Sequence, residues 1–482
     1  IIESTILNND TNSSFTNNVG ATVTMNDKIV NNGNIVNDGK LTTGILNNNV
    51  GATINGSDGF LSFEEGKNQG SISQAIINQV GNSTFTNEGQ ITAGKFNNNG
   101  IFINSGDTSK LTINGGINSG SIKGGSVYIK DNYTNNGELE INNSDFSLAS
   151  GNTIDGVGKL TLNGGSNSGD ILQSDVTFAS GTFNNIGNIG KESSSISNII
   201  NYGNLNNTGN IVADTIQKDI TIDGNFINDK KITSTGSFIN SADITGGVDS
   251  ELNVVNGTNS GNISQAIMNV SGNFTNSGVL DITKDLTNTG SVINSSTISV
   301  ANELINNKNI TNKNSGIITV NKVLTNNAGA NIVNERNSVI DVSANGAKME
   351  NKGTVNNSGT VKFSDASAGL ENSGSFITNG GLVQDAIVAN TGRLTATNGA
   401  KLNLISLNNT NGIVNILNSS DLDLSNQIGD LNGTINVAGG RADASGNLIA
   451  NTITSQINDT KFVGNLNVGD GVSNSTLSMS NI

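Results

Sequence analysis

The sequence predicts an all-β protein: a right-handed parallel β-helix, or β-solenoid, forming a single elongated rod of roughly 20 coils. Three observations point there. A short pattern, apolar-x-Asn-x-Gly-x-apolar, recurs through most of the chain, and in Ile29 to Leu41 (IVNNGNIVNDGKL) it runs twice in succession with Ile35 shared. The composition holds 60 Gly and no Pro, Cys, His or Trp, with only 13% charged and 4% aromatic residues. Two segments, Gly66 to Thr92 and Gly257 to Thr283, echo each other: both carry Asn-x-Gly-x-Ile-Ser-Gln-Ala-Ile and then Phe-Thr-Asn-x-Gly.

Apolar residues at alternate positions make a strand with one buried face, whereas a helix needs them three and four apart. Asn and Gly are poor in helix interiors and tolerate turns and positive φ. Each copy of the pattern therefore reads as a strand end, a tight turn at Asn-x-Gly and the start of a new strand. A chain that repeats this with little between is winding, and self-similarity of this kind marks a solenoid. The turn pairs are Asn31/Gly33, Asn37/Gly39, Asn87/Gly89, Asn201/Gly203, Asn207/Gly209, Asn276/Gly278, Asn351/Gly353 and Asn357/Gly359. If these asparagines stack from coil to coil, their amides can donate and accept up the stack as a ladder. The alternative is a plain turn residue facing water. A coil of roughly 20 to 25 residues is expected, and strands ~4.8 Å apart would then give a body ~100 Å long.

Taken in order, the chain opens with an apolar strand from Ile1 to Leu7 and a loosened copy, Phe15-Thr16-Asn17-Asn18-Val19-Gly20, ahead of the double copy. A different unit starts at Leu61-x-Phe63 and recurs at Leu111-x-Ile113, Leu160-x-Leu162 and Leu252-x-Val254, suggesting a longer repeat near 46 to 50 residues. Single copies lie between these units, at Phe85 to Ile91, Tyr133 to Leu139 and Phe183 to Ile189, and another comes further on at Phe274 to Leu280. Further double copies run from Ile199 to Ile211 and from Met349 to Val361. After about Gly380 the link weakens, although Leu402-x-Leu404, Leu422-x-Leu424 and Ile435-x-Val437 keep the alternation. The expected organisation is one continuous solenoid over 1–482, with regular coils over 1–380 and less regular coils over 381–482. No Pro and no charge run punctuates it.

The net charge of −15 is spread thinly and disfavours nucleic acid and anionic membranes as partners. No apolar run approaches the roughly 20 residues needed to span a membrane. Zero cysteine suits an exported protein without disulfides and removes thiolate sites. The opening Ile1-Ile2-Glu3 leads us to expect a processed product or an excised piece. A stacked solenoid exposes strand edges at its ends, so continuation in a longer chain or end-to-end joining of subunits is expected.

Phe85-Thr86-Asn87-Glu88-Gly89-Gln90-Ile91, Phe274-Thr275-Asn276-Ser277-Gly278 and the double copies resemble the β-helical passenger regions of bacterial autotransporters and two-partner-secreted filamentous adhesins. The resemblance covers most of residues 15 to 376 and, loosely, the rest. It implies a right-handed parallel β-helix, export across an outer membrane, a surface location, and adhesion or self-association more often than catalysis.

Without His or Cys, Ser-His-Asp and Cys-His catalysis and His-based metal sites are removed. No GxxxxGK loop or nonapeptide calcium repeat occurs, and no cofactor is expected. Paired carboxylates remain as the one open chemistry, with Asp421-x-Asp423 the best candidate. Leu422 and Leu424 claim the inner face there, so the pair should face water as an edge that deters aggregation. Asp107, Asp155 and Asp365 sit in turn-like contexts. Of the three tyrosines, Tyr133 and Tyr202 fall in or beside motif copies, where a coil position is expected; an exposed tyrosine could stack on a sugar. The expected function is an extracellular structural or adhesive rod at a bacterial cell surface, not an enzyme. Its partners would be further copies of itself (end to end or lateral) or surface molecules of a host or neighbouring cell, glycans included. The alternative is a β-helix that binds or degrades polysaccharide.

Overall fold

The smallest building block is a four-residue strand such as Asn34–Asn37 (NIVN), in which Ile35 and Asn37 are buried and Asn34 and Val36 face outward. Alternation alone produces this, because successive side chains of a strand point to opposite faces. The computed structural model describes residues 1–106, 108–142, 145–190, 198–201, 204–207, 209–213, 219–224, 226–228, 231–427, 430–442, 448–456, 461–470, 474–480 and 482. Among these residues there is no helix, and the strands pair in parallel, one small antiparallel pair (Arg441–Ala442 with Leu448–Ile449) excepted.

Three strands make one coil. Val323–Asn326, Asn331–Asn334 and Val339–Val342 pair in register with Lys348–Asn351, Thr354–Asn357 and Thr360–Phe363 of the next coil. Two of the three sides place an apolar residue and then Asn inward, such as Leu324/Asn326 and Ile332/Asn334. The third side places two apolar residues inward, Ile340 and Val342. The double copy from Met349 to Val361 is thus the inward lining that runs along two sides and onto the third. Equivalent asparagines are as close as 17 residues (Asn31 to Asn48) and as far as 25 (Asn326 to Asn351). Coils therefore extend below the expected 20-residue minimum, and the variation is taken up at the corners.

The chain forms two compact units, Ile1–Ser237 and Phe238–Ile482. Each is a β-solenoid, and together they hold about 21 turns. In the first unit a phenylalanine cluster lines the axis, with ring centroids 4.2 Å apart for Phe63 and Phe85, 5.8 Å for Phe85 and Phe102, and 5.1 Å for Phe96 and Phe102. Such contacts add ~0.5–1.5 kcal/mol each beyond burial. In the second unit Val, Ile, Leu and Met stack in columns, for example Leu286, Leu304, Leu324, Met349 and Leu370.

The longer repeat near 46 to 50 residues does not correspond to a geometric unit. Leu61 lies over Leu41, Leu111 over Ile91 and Leu160 over Leu139, in three separate columns. With coils of about this size, a step of ~50 residues covers more than two turns and stops on another side. Residues 381–427 keep the parallel pairing seen before, as in Lys401–Asn408 against Asp421–Leu424.

Candidate functional site

The residues singled out by the repeat come together as hydrogen-bonded ladders inside the coils. In the first unit Asn9, Asn31, Asn48, Asn68, Asn87 and Asn104 form one ladder, each Nδ2 donating to the Oδ1 one coil further along at 2.6–2.8 Å. In the second unit two ladders run side by side. One is Asn240, Asn259, Asn276, Asn294, Asn312, Asn334 and Asn357. The other is Asn288, Asn306, Asn326, Asn351, Asn372, Asn390 and Asn409. Asn31, Asn37, Asn87, Asn276, Asn351 and Asn357 are all fully buried. The second proton of each Nδ2 reaches a backbone carbonyl across the corner, as from Asn326 to Thr354 O at 3.0 Å. The Oδ1 also accepts from the backbone two residues on, as from Gly290 N to Asn288 at 3.0 Å. An amide supplies this mix of donors and acceptors; a carboxylate would lack the donors and stack like charges.

The corner glycines have a different reason from the one their type suggests. Gly33, Gly39, Gly89, Gly209, Gly278, Gly353 and Gly359 do not adopt the left-handed region. A Cβ there would strike backbone of the coil beneath: Ala21 O and Asn18 O under Gly39, Ala330 O and Asn327 O under Gly353, Gly187 O under Gly209. Lys352 N and Gly353 N both donate to Asn326 O, at 2.8 and 3.2 Å, so the parallel ladder continues around the corner with no room for a side chain. Of the remaining pair members, Asn201 and Asn207 lie in strands Asn198–Asn201 and Asn204–Asn207, their side chains outside the described set. Gly203, Tyr202 and Asp107 also lie outside the described residues.

Sequence reasoning missed many ladder members because they lack the following Gly. After Asn48, Asn326 and Asn334 the corner is a longer loop whose left-handed residue is Gly51 (φ 78°), Gly329 (φ 81°) or Asn337 (φ 67°). An apolar-x-Asn followed three residues on by Gly or Asn was the available signal. It also missed a substitute rung. Asn37 Nδ2 donates to Gln74 Oε1 at 2.6 Å across two coils, and Asn135 to Gln173 at 2.7 Å. The coil between has glycine at the ladder position, Gly56 and Gly156 respectively. The longer amide passes through the space that glycine leaves open.

Asp421 and Asp423 do flank buried Leu422 and Leu424 on the outward side. Asp421 accepts from Thr452 Oγ1 at 2.6 Å. Some other outward charges are paired: Lys123 with Glu138 at 2.9 Å, Lys67 with Glu88 at 2.8 Å, and Lys362 with Asp341 at 2.8 Å. The Lys123 ammonium holds the Glu138 carboxyl below its ordinary range, and Glu371 holds Lys348 above its own. Asp365 is lowered by its hydrogen bonds from Ser367. Asp155 is outward at the end of strand Thr153–Asp155. Among the described residues no group of three or more Asp or Glu could hold a metal ion.

No family model, curated protein or solved structure matches the chain. The three-sided coil, its ladders and its outward faces are therefore the basis for a functional reading.

Proposed function

We propose that the chain is an extracellular, non-catalytic structural or adhesive β-helix of a bacterial surface protein. It acts through its lateral faces, by binding surface molecules of a neighbouring cell or by joining further copies into filaments. One observation carries the reading: the inward positions are filled by stacked apolar side chains and mutually bonded amides, and the charged groups are outward. This supports a role for the outer surface, which the repeated coil presents over many turns. Electron microscopy of the purified chain tests this. Narrow columns, single or joined as fibres, are expected; compact globular particles would overturn it.

A second reading, a polysaccharide-degrading β-helix, is favoured by one feature, the shared outward face of Asp421 and Asp423. Release of reducing sugar from a set of common glycans is its test, and a blank result across the set removes it.

A further inference from the structure

One lateral face of the first unit is nearly free of charge. It comprises ten successive parallel strands or strand halves, from Ser14–Asn17 through Asn34–Asn37 and on to Thr182–Asn185. Its outward side chains are Ser, Thr, Asn, Gln and Val until Lys110, Tyr128 and Asp145. Those two charges are the only ones in the two outward columns, and both adjoin the same aromatic residue. Lys110 Nζ lies 4.4 Å from the centroid of the Tyr128 ring. Asp145, one coil further on, accepts from Ser126 Oγ at 3.1 Å and borders an open depression of about 420 Å³ that Tyr128 also lines.

The depression exists because the outward columns shrink beyond Tyr128. In its own column Ser147, Ser166 and Asn184 follow. In the neighbouring column Asp145 is followed by Gly164, whose φ of 143° only glycine adopts readily, and then Thr182. The result is a shallow hollow with an aromatic ring at one end, a carboxylate on its flank and short hydroxyls and an amide around it. It is open and mostly polar, unlike a deep apolar pocket, with the one aromatic ring as its apolar platform.

We propose that this hollow binds a sugar ring of an uncharged glycan chain. The C–H face of a pyranose packs on Tyr128, whose ring Lys110 holds from its other neighbour position by cation–π attraction. The Asp145 carboxylate accepts from sugar hydroxyls in charge-assisted hydrogen bonds. Ser147, Ser166 and Asn184 supply further donors and acceptors. The uncharged outward hydroxyls and amides on the strands before Lys110 give the rest of a neutral chain further hydrogen-bond partners with no charge to desolvate. The proposal rests on the adhesive reading and names the partner's chemistry.

The test uses the whole chain and a panel of neutral oligosaccharides built from glucose, galactose, mannose and N-acetylglucosamine, read by saturation-transfer NMR and by titration. At least one oligosaccharide is expected to bind. Tyr128→Ala is expected to weaken it by roughly tenfold or more, equivalent to ~1.4 kcal/mol, and Tyr128→Phe to retain it. Ser166→Arg, which fills the hollow without touching the ring, is expected to abolish it. Far-UV circular dichroism checks that each variant keeps its β-structure. No binding across the panel, or equal binding by Tyr128→Ala and Ser166→Arg, overturns the site. Columns in the microscope with no sugar binding would sink the site alone, whereas globular particles would sink the surface reading beneath it.

Discussion

Asn294 shows what a single rung contributes. It accepts from Asn276 and donates to Asn312, each at 2.8 Å, and is fully buried. Asn294→Ala would leave a donor on one neighbour and an acceptor on the other unsatisfied. At ~1–3 kcal/mol for each buried orphan, a loss of about 2–4 kcal/mol is expected, read from the urea midpoint of the second unit's transition. Tyr133 is the opposite case. Its ring is buried in the core, and its hydroxyl has no hydrogen-bond partner among the described residues. Burial pushes its pKa well above the usual 10. The folded state therefore holds the proton more tightly than the unfolded chain does. Its contribution is complete below the unfolded pKa and is lost as pH rises above it. Tyr133→Phe is expected to be neutral or stabilising near pH 7 and to flatten the decline in stability above pH 10. Thermal melts of both proteins from pH 7 to 11 check this; an unchanged slope would count against it.

At the scale of the element, corners and rungs obey separate rules. Gly353→Ala would drive a methyl group into Ala330 O, an overpacking worth ~1–3 kcal/mol. Gly329 stands in open space at φ 81°, in a turn closed by Ala330 N to Asn327 O. The neighbouring turn, closed by Ser338 N to Glu335 O, already uses Asn337 at that place. Gly329→Asn should thus stay within about 0.5 kcal/mol of the parent, and denaturant titration of the two variants should separate them clearly. Gln74→Asn should be costly although it keeps the amide, because the shorter side chain cannot cross the Gly56 coil to Asn37. A loss of ~1–3 kcal/mol is expected by the same titration in the first unit. These elements also mark how far the sequence could be read. Winding, alternation and the Asn-x-Gly corner were legible because each leaves a local pattern. The three-sidedness was not, since side count depends on which strands meet across a coil. The glycines were recognised for turn chemistry, yet their reason is the carbonyl of the coil below, a contact roughly 20 residues away that no local pattern shows. Tyr128 and Tyr133, five residues apart, are of one type; only coil register separates the outward one from the core.

For the whole molecule, each described coil bonds chiefly to its two neighbours, so stability should behave as a sum of coil and interface contributions. Removing one complete coil from the second unit, Lys313 to Asn334, joins Asn312 to Glu335 and brings Asn312 opposite Asn357, keeping the ladder in phase. The shortened chain is expected to retain its β circular dichroism and to unfold with an m-value lowered in proportion to the surface removed. A deletion of half that length, by contrast, would put apolar side chains against outward positions and should fail to fold. Loss of β-structure in the full-coil deletion would show that coils are not interchangeable.

The ladders have a consequence beyond stability. Every amide in them gives its proton to the residue ahead and takes one from the residue behind. Such a row has a head and a tail, like a queue in which each member rests a hand on the next shoulder. A single amide turned the other way would meet a donor with a donor on one side and an acceptor with an acceptor on the other, so each member's orientation is held by its two neighbours in the row.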